Sequence, residues 1–117
     1  EVVLRQVIDD HRGFVRKYQF IVEHDLFAEP DSVPTHMQCR LARWLNSIKD
    51  EETLALYQRV AAAPHEEVHA LARQAVELNN QGRKDETRVR LQEMVAASEK
   101  IIAALEQLIA YKRNQHH

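Results

Sequence analysis

"EVVLRQVIDDHRGFVRKYQFIVEHDLF", residues 1–27, predicts one long helix and with it the helical character of the chain. Residues that advance in alternating steps of four and three share one face of a helix, and that face packs against a neighbour. The positions with this spacing are Leu4, Ile8, His11, Val15, Tyr18 and Val22. An imidazole therefore stands on the face that we expect to turn inward, which makes His11 the first candidate functional residue.

The rest of the chain predicts further helices joined by short connections. "AEPDSVP" at 28–34 is a predicted loop because it holds two prolines. Asp50 suits a helix N-cap, Pro64 the first position of a helix and Gly82 the residue just beyond the end of one. The predicted helices are a short one at about 35–46, one that starts at Asp50, one from Pro64 to "NNQG" at 79–82, and one from Asp85 to about Arg113 with Leu91, Val95, Ser98, Ile102, Leu105 and Ile109 facing inward.

This organisation predicts an all-α fold. The chain has two glycines and three prolines, which are too few for the many turns of a sheet protein of this size. We expect an antiparallel four-helix bundle with a short extra helix in the connection after helix 1. With 117 residues, the chain suits a single domain over 1–117.

Composition excludes several classes of partner and compartment. A formal net charge of −2 gives no basic surface, so nucleic acid is not an expected partner. No apolar run approaches the roughly 18 residues that a transmembrane helix needs, so we expect no membrane contact. A single cysteine forms no internal disulfide, which fits the cytoplasm. The chain begins at Glu1 without a Met, so we expect it to be a segment of a longer protein.

A pair of histidines marks the middle of the chain. His65 and His69 are separated by one helical turn, so both imidazoles can reach one metal ion. Ala72 and Val76 continue the same face, which we expect to point inward. A buried polar group without a partner costs roughly 1–3 kcal/mol, and a shared metal ion removes that cost. Two nearby carboxylates would do the same, but the inward faces supply none.

The single thiol completes a possible ligand set. The four candidates are His11, Cys39, His65 and His69, from three separate helices. Three imidazoles and one thiolate form a tetrahedral Zn²⁺ set, whereas Mg²⁺, Ca²⁺ and Mn²⁺ prefer oxygen ligands. A site filled by four protein ligands leaves no position for a substrate, so hydrolysis is not favoured. The alternative is a purely structural bundle, with Cys39 as a small apolar core residue and hydrogen-bonded core histidines.

Three short stretches carry a resemblance to a known family. "DDHRGF" at 9–14 resembles the first-helix histidine of the chemoreceptor zinc-binding (CZB) domains of bacterial signalling proteins. "CRLARW" at 39–44 resembles their Cys-x-Leu-Gly-x-Trp core, and "HEEVH" at 65–69 resembles their His-x-x-x-His pair. The resemblance spans about 5–112. Ala42 stands where the family usually has glycine, and alanine is a better helix former of almost the same size.

The resemblance implies a zinc site at His11, Cys39, His65 and His69. It further implies a metal-responsive regulatory domain, not an enzyme, attached to an output domain such as a chemoreceptor signalling region or a diguanylate cyclase, and it makes a homodimer plausible. Because a zinc-bound thiolate is reactive, we also hypothesise that Cys39 senses oxidants such as hypochlorous acid.

The remaining histidines are not expected to bind the metal. His36 lies near a helix start, and His24 is turned about 140° from His11 on a 3.6-residue helix. His116 and His117 end the chain and are native residues or the remnant of a tag. Two rival functions stay open: a hemerythrin-like di-iron bundle, which needs carboxylate ligands, and a structural dimerisation bundle stabilised by zinc.

Overall fold

The computed structural model describes residues 2–35 and 40–114, and the regular structure within these ranges is helical. The elements are α1 (Val2–Glu23), a 3₁₀ turn (Pro30–Ser32), α2 (Arg40–Ser47), α3 (Glu51–Val60), α4 (Ala62–Asn80) and α5 (Lys84–Asn114). The predicted all-α class is confirmed, whereas the exact antiparallel four-helix arrangement stays a prediction. None of the helices in the described part combines the length and the apolar character needed to cross a bilayer.

Helix α5 is the helix against which three of the other helices pack. Its 31 residues extend over about 46 Å at 1.5 Å per residue, close to the 53 Å length of the molecule. α5 packs most extensively against α4 and also contacts α1 and α3. α3 and α4 are separated by Ala61 alone and together cover the length of α5. At one end the Tyr111 hydroxyl donates to Glu52 at 2.6 Å, and at the other Lys84 donates to Asn79 at 3.5 Å.

One contiguous apolar core lies between these helices. The inward face predicted for α1 is confirmed from Leu4 to Tyr18, while Val22 is half-buried. The inward face predicted for α5 is wrong in part. Of the predicted residues, Ser98, Leu105 and Ile109 are buried, whereas Leu91, Val95 and Ile102 are half-buried. The apolar side chains Met94, Ile101 and Leu108, which were not predicted to face inward, are 0% exposed. Because α5 packs against three helices, its buried face is wide and is centred about one residue earlier than predicted.

Local signals set most helix ends where the sequence predicts them. Asp50 is the N-cap of α3, since its carboxylate accepts a hydrogen bond from the Glu52 amide at 3.1 Å. Gly82 follows α4 with a φ of 73°, a conformation that glycine adopts without strain. The prediction for Pro64 is wrong by two positions, because α4 begins at Ala62. Proline is tolerated there since the first-turn N–H groups have no intrahelical acceptor.

α1 ends at Glu23, four residues earlier than predicted. Asp25 has a φ of 53°, and the Leu26 amide donates back to the Ile21 carbonyl at 2.9 Å. This is a Schellman motif with aspartate at the left-handed position that glycine usually fills. The periodic pattern continues through the motif, so periodicity alone does not reveal the stop.

The segment after α1, which we call the strap (residues 25–35), runs back along α4. Polar contacts join the strap to α4 and to the first residue of α5. The pairs are Asp25 with Lys84 at the start of α5, Leu26 O with Asn79, the backbone of Ala28 with Asn80, Asp31 with Arg73, and Pro34 O with His69. The strap therefore ends beside one of the candidate ligands.

Candidate metal centre

Three buried histidines from α1 and α4 meet in the core. His11, His65 and His69 are 3%, 1% and 4% exposed. Each offers a ring nitrogen, and these atoms all lie within 4.8 Å of one another. The ring centroids are 5.1–5.6 Å apart and the ring planes cross at 68–80°. The sequence predicts three inward imidazoles, and the structure brings all three together.

Helix geometry explains the convergence. His65 and His69 lie one turn apart on the buried face of α4, which Ala72 and Val76 continue at 0% exposure. His11 lies at the middle of α1 between the buried Ile8 and Val15. α1 packs directly on α4, so the mid-helix imidazole of α1 meets the pair from α4.

The Nδ1 atoms of the two α4 histidines are held by groups outside the cluster. His69 Nδ1 lies 2.8 Å from the carbonyl oxygen of Pro34. Because a carbonyl only accepts, Nδ1 carries the proton, and the neutral ring keeps its lone pair on Nε2. His65 Nδ1 lies 2.8 Å from the Tyr57 hydroxyl, which can accept or donate. An outer partner on the second ring nitrogen is typical of metal-binding histidines.

His11 is the least satisfied member of the cluster. Both of its ring nitrogens are buried without a hydrogen-bond partner among the described residues. Burial is the main cause that lowers the His11 pKa from 6.5 to about 4, and electrostatic repulsion from His69 contributes to the same direction. The ring is therefore neutral at pH 7, the form that binds a metal ion. A buried polar atom of this kind costs roughly 1–3 kcal/mol, and coordination would remove the cost.

These residues fit a zinc ion. Nitrogen ligands suit Zn²⁺, and a neutral imidazole coordinates the ion without first losing a proton. Ligand atoms on one tetrahedral zinc lie about 3.4 Å apart, so small side-chain rotations from the present spacing would complete the geometry. Within the described part of the chain, no carboxylate joins the cluster, which disfavours a di-iron centre.

Of the other residues considered from the sequence, His24 alone lies in the part of the chain that the structure describes. Cys39, predicted as the fourth ligand, lies outside the described residues. So do His36, His116 and His117. His24 is exposed just past the end of α1 and contacts the Phe20 ring, with 4.2 Å between centroids.

Tyr57 and Pro34 were not predicted as part of the site. A tyrosine in a helix and a proline in a loop carry no ligand signature, and both act here through contacts between separate elements. The one sequence feature related to the role of Tyr57 is the interruption between α3 and α4. The sequence pattern places the start of α4 at Pro64, two residues after its observed start at Ala62.

Comparison with known proteins agrees with this geometry. The sequence model described as "Chemoreceptor zinc-binding domain" matches residues 11–76, more than half of the chain. The matched region begins at His11 and includes both histidines of α4. No curated protein and no solved structure gives a significant match. The chain belongs to the chemoreceptor zinc-binding domain family.

Proposed function

We propose that this domain binds one Zn²⁺ ion through His11, Cys39, His65 and His69 and that zinc occupancy regulates an attached output domain. The observation that carries the proposal is the buried cluster of three imidazoles, whose ring nitrogens lie within 4.8 Å of one another. Family membership supports the choice of zinc. A role in signal transduction, as in chemotaxis or the control of a diguanylate cyclase, follows from the same membership and makes the domain regulatory rather than catalytic.

Support for Cys39 as the fourth ligand comes from its neighbours in the chain. Pro34, five residues before it, contacts His69 at 2.8 Å. Ala42, three residues after it, lines the same surface cavity as His65. A thiolate adds a soft sulfur ligand, which favours zinc over calcium or magnesium.

The ion would act by favouring one packing of the bundle. Its ligands come from α1, α4 and the residue before α2, so binding would link three separate elements of the bundle. A ligand shifts a conformational equilibrium by its difference in affinity between the two states. α1 and α5 pack on each other and are the two longest helices, so we propose that they transmit the change to the output domain or to a second protomer.

Two finer aspects complete the proposal. Oxidation of the Cys39 thiolate to a sulfenic acid by hypochlorous acid would remove a ligand and release zinc, so the domain would also sense oxidants. We further propose that the domain works as a homodimer, as the family resemblance implies, and that it is cytoplasmic, as its single cysteine indicates. Mass spectrometry and zinc release after stoichiometric oxidant test the first aspect, and sedimentation of the zinc-loaded protein tests the second.

Elemental analysis is the decisive experiment for the metal. The purified domain is expected to hold one zinc per chain, and Cys39→Ala and His11→Ala are expected to lose it. His24→Ala is the matched control, because His24 is an exposed imidazole near the end of the same helix. Metal-free protein, or zinc retained by both ligand variants, would overturn the proposal. A coloured protein that contains iron would instead indicate the di-iron alternative.

A further inference from the structure

The hydroxyl of Tyr57 lies 2.8 Å from Nδ1 of His65, and both side chains are buried, at 5% and 1% exposure. The two residues are eight positions apart. In a continuous helix that separation corresponds to about 12 Å along the axis, too far for a hydrogen bond. The contact exists because the helical conformation is interrupted at Ala61, between α3 and α4, where φ is −124°. The break therefore has a consequence at the histidine cluster.

We propose that Tyr57 is a positioning residue that holds the ring of His65 with its Nε2 atom toward the metal. The inference rests on the zinc site proposed above. When Nε2 of a neutral imidazole coordinates a metal, the only ring proton is on Nδ1, so the ring donates and the Tyr57 oxygen accepts. The hydroxyl thus stabilises the ring orientation that coordination requires and accepts the Nδ1 proton of the coordinating tautomer.

The two outer partners impose different constraints. The Pro34 carbonyl accepts only, so it fixes the tautomer of His69 whether or not a metal is bound. A hydroxyl both accepts and donates, so Tyr57 pairs with His65 in either tautomer. His65 is accordingly the α4 ligand whose proton is free to change position when zinc enters. We expect the tyrosine to keep this buried ring satisfied in the zinc-free domain as well as in the zinc-bound one.

The test compares two tyrosine-to-phenylalanine variants by zinc competition with a chelator. Tyr57→Phe keeps the ring and removes only the hydroxyl, so the zinc dissociation constant is expected to rise about 10- to 100-fold. Tyr111→Phe is the matched control, since its hydroxyl donates to Glu52 at the start of α3, the helix that also holds Tyr57. The control is expected to change the constant less than about twofold. Thermal unfolding of both zinc-free variants then separates lost affinity from lost stability.

A second readout uses the unaltered protein and does not depend on any variant folding. NMR of the histidine ring nitrogens in the zinc-loaded domain is expected to show His65 protonated at Nδ1 and coordinated at Nε2. A further comparison takes the same spectrum of Tyr57→Phe. Tyr57 and His65 line a surface cavity of about 530 Å³, so loss of the hydroxyl is expected to speed solvent exchange of that proton.

Each outcome supports or overturns the inference. If the domain binds one zinc and Tyr57→Phe matches Tyr111→Phe in affinity, the positioning role is wrong while the zinc site stands. Coordination of His65 through Nδ1 would overturn it equally. If the unaltered domain binds no zinc, the proposed function fails and the inference fails with it.

Discussion

Nδ1 of His69 lies 2.8 Å from the carbonyl oxygen of Pro34, across 35 positions of sequence. This hydrogen bond joins the strap to the histidine cluster. Earlier residues of the strap contact later turns of α4, so His69 lies at the end of a series of polar contacts between the strap and this helix. Order in the strap and geometry at the cluster are therefore physically linked.

That link predicts that loosening the strap weakens zinc binding at a distance. The Asn80 side chain forms two hydrogen bonds with the backbone of Ala28. It donates to the Ala28 carbonyl at 2.7 Å and accepts from the Ala28 amide at 3.4 Å. Asn80→Ala removes both and leaves the candidate ligands intact. We expect zinc affinity to fall about two- to tenfold, because binding must then also order the strap. Chelator competition measures the change.

Gln74→Ala is the control for this prediction, since it removes an exposed amide side chain from the same helix. Hydrogen exchange supplies a second measurement. Faster exchange in the strap of Asn80→Ala, slowed again by zinc, is the expected pattern. Equal zinc affinity in the two variants would show that strap and cluster are independent.

Replacement of His11 by leucine is expected to have opposite effects on the stability of the domain and on zinc binding. Leucine at this position would fill a similar volume and leave no buried nitrogen without a partner. We expect His11→Leu to raise the unfolding free energy of the zinc-free domain by about 1–3 kcal/mol and to abolish zinc binding. Denaturant titration in the presence of a chelator measures the first effect, and elemental analysis measures the second.

The comparison variant is His24→Leu, which changes an exposed imidazole and is expected to leave both quantities nearly unchanged. A zinc-free His11→Leu domain less stable than the unaltered one would contradict the prediction. That result would mean that the imidazole is satisfied in the apo fold by a group outside the described residues.

Periodicity accounts for the part of the site that is predictable from sequence. The four-three spacing of α1 and the one-turn spacing of His65 and His69 place three imidazoles on inward faces, and the structure confirms their burial. The outer partners were not predictable by this route. Tyr57 reaches His65 only because of the break at Ala61, and Pro34 contributes a backbone atom, which any residue possesses.

The errors in the predicted fold have the same origin. Half-burial of Leu91 and Ile102 follows from the contact of α5 with three helices at once, and a single-face pattern does not represent that arrangement. The early end of α1 depends on a left-handed Asp25, a residue less diagnostic of a helix stop than glycine. The centre of the buried face of α5 and the end of α1 thus depend on long-range packing and on local backbone conformation, which amphipathic spacing does not reveal.

Acid is expected to destabilise the zinc-free domain through His11. Its pKa is lowered by burial from 6.5 to about 4, so between these values the unfolded chain binds a proton that the folded domain excludes. Stability rises with pH wherever the unfolded state binds more protons, so this contribution is complete above pH 6.5 and is lost as the pH falls toward 4. At about 1.4 kcal/mol per pKa unit, the loss approaches roughly 3 kcal/mol.

Denaturant midpoints of chelator-treated protein at intervals from pH 7.5 to pH 4.5 measure this dependence. The same series on His11→Leu isolates the histidine, because every other titrating group is retained. We expect the variant to lose a large share of the slope between pH 6.5 and pH 4.5. Parallel pH profiles for the two proteins would show that His11 is not the group that excludes a proton from the folded core.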